Sequence, residues 1–223
     1  MQIPNGHYIV IEGNIGAGKT SLSHKLAAEL NAKLILEQFT DNPFLPMFYK
    51  NPDRYAFPVE LFFMTERHKQ LQEYLVKRDL FQHYTVSDYV FSKTLLFAGQ
   101  NLEGEELRLF QNLFSTLNAA FPKPDLLVYL HRPVEELQEN IRRRNRSYEA
   151  DITGEYLTKI QQAYFEFFRM QQSQIPILLM DVSGMDFLNS GDDYNLILNA
   201  LQKTYEVGLH RVTASELRAS TEL

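Results

Sequence analysis

The stretch Gly13-Asn14-Ile15-Gly16-Ala17-Gly18-Lys19-Thr20 follows the apolar run Tyr8-Ile9-Val10-Ile11 and precedes Leu22, Leu26, Ala27 and Leu30, apolar positions at helical spacing. It satisfies G-x-x-x-x-G-K-[ST] at every fixed position, with a strand before it and a helix from Thr20 after it. Glycines let the backbone turn its N–H groups onto phosphate oxygens, Lys19 reaches the β- and γ-phosphates, and Thr20 is placed to hold Mg²⁺. The whole segment is therefore expected to bind a nucleoside triphosphate. It says nothing about the fate of the γ-phosphate.

The 223 residues suit one α/β domain with a full core. We expect that domain over 1–205, with 206–223 a tail without firm pattern. A formal charge of −6 argues against a nucleic-acid or anionic-membrane partner and for a small molecule. The absence of cysteine excludes disulfides, thiolate catalysis and cysteine zinc sites. No apolar run reads as a signal peptide or membrane span, so a cytoplasmic protein is expected.

Carboxyl ends of strands in open α/β sheets are where ligands bind. Lys33 to Leu36 reads as a short buried strand closing on Glu37, a catalytic candidate; a carboxylate capping a strand in water is the equal alternative. Asp41-Asn42-Pro43 reads as the start of a short helix carrying Tyr49, and Asp53 with Pro58 as the start of a long one to about Arg78. Glu60 stands alone among Phe57, Val59, Leu61, Phe62, Phe63 and Met64. Buried there it would need a donor such as a base edge, but glutamate is seldom buried, which favours a solvated side.

Thr85 to Asp88 is the next strand, with Asp88 where a second acid positions Mg²⁺ or the attacking hydroxyl. Lys93 follows in a helix broken by Gly99, either at the site or as a snorkelling surface lysine. Leu107, Phe110, Leu113, Phe114 and Leu117 mark an amphipathic helix, core or dimer contact. Leu126 to Leu130 is a fourth strand, and the helix opened by Pro133 ends in Arg142-Arg143-Arg144-Asn145-Arg146, a basic cluster suited to a transferring phosphoryl group. A helix from Glu155 to about Arg169, a fifth strand at Ile177 to Met180, a loop at 181–192 and a last helix at Tyr194 to Tyr205 complete the pattern. Five strands alternating with helices predict an α/β fold, a parallel sheet with helices on both faces.

From about Tyr8 to Tyr205 the chain resembles the deoxynucleoside kinase family of phosphate-loop proteins, its bacterial branch in particular. Besides the loop, the specific stretches are Leu36-Glu37-Gln38, Phe48-Tyr49-Lys50-Asn51-Pro52 with Arg54-Tyr55-Ala56-Phe57, and the arginine lid, about 142–153, including Glu149. The resemblance implies transfer of a phosphoryl group from Mg-ATP to the 5′-hydroxyl of a deoxynucleoside, by a homodimer. It implies Glu37 as general base, Tyr49 and Glu149 on the 3′-hydroxyl, Glu60 on the base where the family generally has Gln, and Arg144 and Arg146 closing on the phosphates. Phe97 matches a base-stacking aromatic, with Arg67 and Lys93 tuning base choice.

The chain departs from the family's acid-Arg-Ser triplet: Ser87-Asp88-Tyr89 lacks the arginine in either register, leaving Lys93 or a lid arginine to supply the charge. An ionised Glu60 offers only acceptors, so it suits guanine, with N1–H and a 2-amino group, and leans the substrate towards deoxyguanosine or a purine. A thymidylate-type kinase and a non-catalytic ATP-binding sensor or scaffold are the rival readings. A GTPase lacks its Asn-Lys-x-Asp element here.

Overall fold

In the computed structural model, which describes residues 3, 4, 7–37, 42–76, 83–118 and 121–219, the first apolar run becomes strand β1 (Tyr8–Gly13), buried along its whole length. In chain order there follow α1 (Lys19–Leu30), β2 (Lys33–Ile35), α2 (Leu45–Lys50), α3 (Pro52–Val76), β3 (Thr85–Ser87), α4 (Lys93–Asn101), α5 (Gly104–Asn118) and β4 (Leu126–His131). Then come α6 (Val134–Arg144), a 3-10 turn (Ser147–Glu149), α7 (Gly154–Gln171), β5 (Pro176–Asp181), α8 (Gly191–Leu201), β6 (Gly208–Val212) and α9 (Ala214–Ala219). All strand pairs are parallel, in the order β2-β3-β1-β4-β5-β6.

A parallel sheet must be covered on both faces, and the period of two along its strands divides the core accordingly. Leu126, Val128 and Leu130 of β4 pack with Leu22, Leu26, Leu137 and Ile197 from α1, α6 and α8. Leu127 and Tyr129 point the other way, onto Ile160, Tyr164 and Phe168 of α7. A third cluster joins α2, α3, α4 and α5 through Phe48, Val59, Met64, Leu71, Phe110 and Phe114. β1 lies between β3 and β4, so the strand order reverses beside it. The crevice at such a reversal is where α/β sheets bind ligands. Residues just after β1, β2 and β3 all converge on it.

Among the described residues the sheet has six strands rather than five. The extra one, β6, was hidden in the expected tail because Gly208-Leu209-His210-Arg211-Val212 is a half-exposed edge strand with polar residues and no apolar run. Its pairing with β5 and the helix α9 after it give structure to the tail through Ala219. Three boundaries also move. Gly99 lies inside α4, which continues to Asn101; a glycine costs a helix only about 1 kcal/mol relative to alanine. α8 runs from Gly191 to Leu201, opened by the Ser190 hydroxyl accepting from Asp193 N, and it is not the last helix. α2 starts at Leu45 with Pro46 in its first turn, while Asn42 forms a local turn by accepting from Phe44 N at 2.9 Å. Asp41, Gln38 and the expected end of α3 at Arg78 lie outside the described residues. Asn31 ends α1 in the left-handed conformation. Among the described residues no helix is long and apolar enough to cross a membrane.

One acid is built into the central strand. Glu12 is fully buried, and its carboxylate accepts from Tyr164 Oη of α7 at 2.8 Å and from Val90 N, ahead of α4, at 3.0 Å. Burial raises its pKa. The side chain thus ties α7 and the segment ahead of α4 to β1 beneath the phosphate loop. Tyr164→Phe keeps the ring packing but leaves that carboxyl oxygen short of a donor, at a cost of roughly 1–3 kcal/mol. Thermal unfolding should show the midpoint falling by about 2–4 °C per kcal/mol lost; an unchanged midpoint would show that the hydroxyl carries no structural weight.

Candidate active site

The loop between β1 and α1 has the shape its sequence implies. Gly16 (φ +84°) leaves no room for a Cβ, which would stand 2.6 Å from the Leu137 carbonyl oxygen; at Gly18 (φ +95°) a Cβ would stand 2.7 Å from Phe187. Lys19 folds back to donate to Asn14 O at 3.0 Å. Burial, and then the positive charge of Lys93, push its ammonium down to about 8. Thr20 Oγ1 donates to Asp88 Oδ2 at 2.6 Å, and Asp88 Oδ1 accepts from Glu37 N at 2.7 Å. Burial and the neighbouring Glu37 charge raise the Asp88 pKa. A hydroxyl and one carboxylate are the hard-oxygen set that Mg²⁺ takes from a protein when phosphates supply the rest. Among the described residues no group of three or more acids, histidines or cysteines offers a rival metal site.

Glu37, just past β2, is buried between two cations. Arg67 Nε donates to Oε1 and Lys93 Nζ to Oε2, each at 2.8 Å. Burial alone would raise this carboxyl, but Arg67 and then Lys93 outweigh it and hold the pKa at about 2. Lys93 is likewise held up by Glu37 and Glu12 against its own burial. Lys93 is therefore buried against Glu37 rather than a snorkelling surface lysine, and with Arg67 it places two cations close to Ser87-Asp88-Tyr89. Tyr89 sends its hydroxyl to Gln70 instead, and Gln70 Nε2 donates to Leu36 O at 2.9 Å.

Helical periodicity sets the walls. On α3, Glu60, Phe63 and Arg67 recur at i, i+3 and i+7, and the Arg67 guanidinium lies 4.9 Å from the Phe63 ring centre. On α4, Lys93, Phe97 and Asn101 recur at i, i+4 and i+8, with Lys93 Nζ 5.6 Å from the Phe97 ring centre. The two stripes line one cavity. Glu60 is only 3% exposed, contrary to the solvated side that its residue type favoured. Asn101 Nδ2 donates to its Oε1 at 2.6 Å, and burial lifts its carboxyl to about 7.

The lid closes the cavity from the α6 side. Asn145 ends α6 in the left-handed conformation (φ 50°), turning the chain so that Arg144 and Arg146 both face Glu149. Arg144 Nε and Nη2 grip the two Glu149 oxygens at 2.6 Å each, a bidentate pair. Tyr49 of α2 lies beside them, its hydroxyl pKa raised by burial and by the nearby Tyr156 and Glu149.

One cavity thus gathers Lys19 and Thr20 of the phosphate loop with Glu37, Tyr49, Glu60, Arg67, Asp88, Lys93, Phe97, Arg144, Arg146 and Glu149, every side chain predicted outside that loop. Gly16, Ala17 and Gly18 border a second cleft, with Arg132, Arg143, Asp186 and Phe187. There Arg132 donates to Glu136 at 2.7 Å and to Met185 O at 2.7 Å, and lies 5.6 Å from the Phe187 ring centre. Sequence reasoning missed this cleft, reading 181–192 only as a loop. It also missed Asn101, which its eight-residue separation from Lys93 could have flagged.

A family model described as deoxynucleoside kinase matches residues 9–206. Deoxyguanosine kinase of Bacillus subtilis is 30% identical over 199 residues, covering 85% of this chain and 93% of its own. Deoxyadenosine kinase of Dictyostelium discoideum is 34% identical, covering 80% and 73%. In fold the chain is similar to deoxyadenosine kinase from M. mycoides with bound dATP, at a TM-score of 0.74 and 21% identity, covering 88% of this chain and 100% of that one. With the phosphate loop, the buried acid and the arginine lid assembled around one cavity, the chain belongs to the deoxynucleoside kinase family and is an enzyme that phosphorylates deoxynucleosides.

Proposed function

We propose that the enzyme transfers the γ-phosphoryl group of ATP to the 5′-hydroxyl of a purine deoxynucleoside, with Glu37 as the general base. The observation that carries this is the buried Glu37 carboxylate, fixed between Arg67 and Lys93 and joined through its own N–H to Asp88 beside the phosphate loop. Loop N–H groups and Lys19 hold the triphosphate, whose nucleoside end runs along the outer cleft past Arg132 and Phe187. Thr20 and Asp88 would hold Mg²⁺, which supplies charge neutralisation on the β- and γ-oxygens.

The bond from the 5′-oxygen to the γ-phosphorus forms as the bond to the oxygen bridging from the β-phosphate breaks, and ADP leaves. Glu37 takes the hydroxyl proton. A carboxylate held near 2 is a weak base towards a free alcohol. In a loose phosphoryl-transfer transition state, however, the proton leaves late, when the alcohol oxygen already carries phosphorus and is acidic. Arg144 and Arg146 move from Glu149 onto the phosphoryl oxygens, and Tyr49 and Glu149 hold the 3′-hydroxyl. An acceptor already bearing a phosphate would bring a dianion towards Glu37 while Arg67 and Lys93 are committed to that carboxylate, which disfavours a thymidylate-type reaction.

Glu60, with Phe97 on the opposite wall, faces the base. Its ionised form accepts two donors, which suits guanine. The curated relatives, one a deoxyguanosine and one a deoxyadenosine kinase, support a purine. Leu109 and Leu113, exposed on α5, supply an apolar face for the homodimer that the family resemblance implies.

With Mg-ATP and the four deoxynucleosides beside their 5′-monophosphates, turnover should be confined to nucleosides and fastest with a purine. Glu37→Gln should lower kcat by about 10²–10⁴-fold while a thermal shift with nucleoside shows that binding persists. Phosphorylation of monophosphates alone would move the assignment to a nucleotide kinase. Sedimentation over a dilution series should show a dimer that Leu113→Glu dissociates; a concentration-independent monomer ends that part of the proposal.

A further inference from the structure

Among the described residues two acids of the cavity lack a cationic hydrogen-bond partner: Asp88, which is held by the Thr20 hydroxyl and the Glu37 N–H, and Glu60. Arg67 and Lys93 both engage Glu37, and Arg144 and Arg146 both face Glu149. What Glu60 has is the Asn101 amide, 2.6 Å from Oε1, at the end of the Lys93-Phe97-Asn101 stripe. Asn101 Nδ2 also stands 3.5 Å from Tyr156 Oη of α7. Glu60 Oε2 is buried and has no hydrogen-bond partner. A buried acceptor left in that state is destabilising, so this oxygen is where a ligand donor gains most by docking.

The amide donor makes the two oxygens unequal. Oε1 is held as an acceptor, so a proton on this carboxyl resides on Oε2. Ionised, the pair presents two acceptors, which match the N1–H and 2-amino donors of guanine. Protonated, it presents an Oε2–H donor beside the Oε1 acceptor, which match the N1 acceptor and 6-amino donor of adenine. Glutamine at this position would offer only the second pattern.

We propose that Asn101 is a positioning residue that sets purine choice: by holding Glu60 Oε1 it commits Oε2 to the base, as acceptor to guanine in the ionised carboxyl and as donor to adenine in the protonated one. This rests on the nucleoside-kinase reading above. The groups that bear on Glu60 come from every wall: Arg67 on its own helix, Lys93 and Asn101 on α4, Glu37 after β2 and Tyr156 on α7. Burial raises its proton affinity, Glu37 adds to that, and the Asn101 bond, Arg67 and Lys93 oppose it, leaving the carboxyl at about 7. Both forms are therefore populated near neutrality.

The readout is the ratio of kcat/KM for deoxyguanosine to that for deoxyadenosine, from about pH 6 to pH 8, where Glu60 titrates and the bases do not. Titrations of the donor, the lid and Glu37 act on both substrates and cancel in this ratio. If each purine takes its own form, the ratio tracks ionised over protonated Glu60 and rises by up to about tenfold per pH unit. Asn101→Ala removes a donor that favours the ionised form and should shift the ratio several-fold towards deoxyadenosine at every pH. Glu60→Gln, whose donor and acceptor do not change with pH, should abolish the pH dependence of the ratio. A wild-type ratio flat with pH overturns the proposal without needing any variant to fold, as does an Asn101→Ala profile superimposable on wild type. Failure to phosphorylate any deoxynucleoside would instead overturn the underlying function, and this proposal with it.

Discussion

A carboxylate out of water, held between two cations that are also out of water, is the constraint around which the rest of the site is arranged. Glu37, Arg67 and Lys93 come from the end of β2, the middle of α3 and the first turn of α4. Each would carry a large desolvation penalty alone, and removing one partner of a buried pair costs about 3–5 kcal/mol. The three elements are therefore fixed relative to one another by charge as well as by the apolar contacts of Val59, Met64 and Leu71. This geometry holds the cavity walls apart at the carboxyl edge of the sheet. The two cations also outweigh burial and hold the Glu37 carboxyl well below the usual carboxylate range.

The parts of this architecture that sequence conveys are those with a local physical signature. The phosphate loop is legible because only glycine tolerates the turns at Gly16 and Gly18, where a side chain would strike Leu137 or Phe187. Central strands such as β1 and β4 are legible because burial on both faces makes them continuously apolar. β6 fails that test because an edge strand need not be apolar. Gly99 misleads for another reason: tertiary contacts of α4 outweigh a propensity cost of about 1 kcal/mol. The burial of Glu60 is invisible locally, since it depends on α4 bringing Asn101 opposite α3. Family resemblance placed Glu60 in the site where residue type alone pointed to solvent. Neither could show that its partner is a neutral amide.

The departure at Ser87-Asp88-Tyr89 shows the same division between identity and position. Asp88 keeps its contacts with Thr20 and with the backbone of Glu37, so the acid of the phosphate site is retained. The charge expected next to it in the chain arrives from other elements, Arg67 and Lys93. An electrostatic requirement is met by a cation within a few ångströms whatever its place in the sequence. A motif therefore records only one of several ways to meet it.

Relative magnitudes then separate scaffold from moving part. The Arg144–Glu149 pair is bidentate, with both contacts at 2.6 Å, yet the Arg144 side chain is 34% exposed whereas those of Arg67 and Lys93 are 5% exposed. Water can replace much of what a part-exposed arginine loses when it leaves its carboxylate, and exposed pairs contribute only about 0–1 kcal/mol. The lid pair lies between that limit and the buried one. A triphosphate offers Arg144 and Arg146 more negative charge than Glu149 does, so the exchange is downhill for them. Arg67 and Lys93 have no comparable route to water, and leaving Glu37 would strand all three charges. By exposure, then, the Arg144–Glu149 pair is the one that separates at lower cost, and the Glu37 cluster is the more rigidly held of the two.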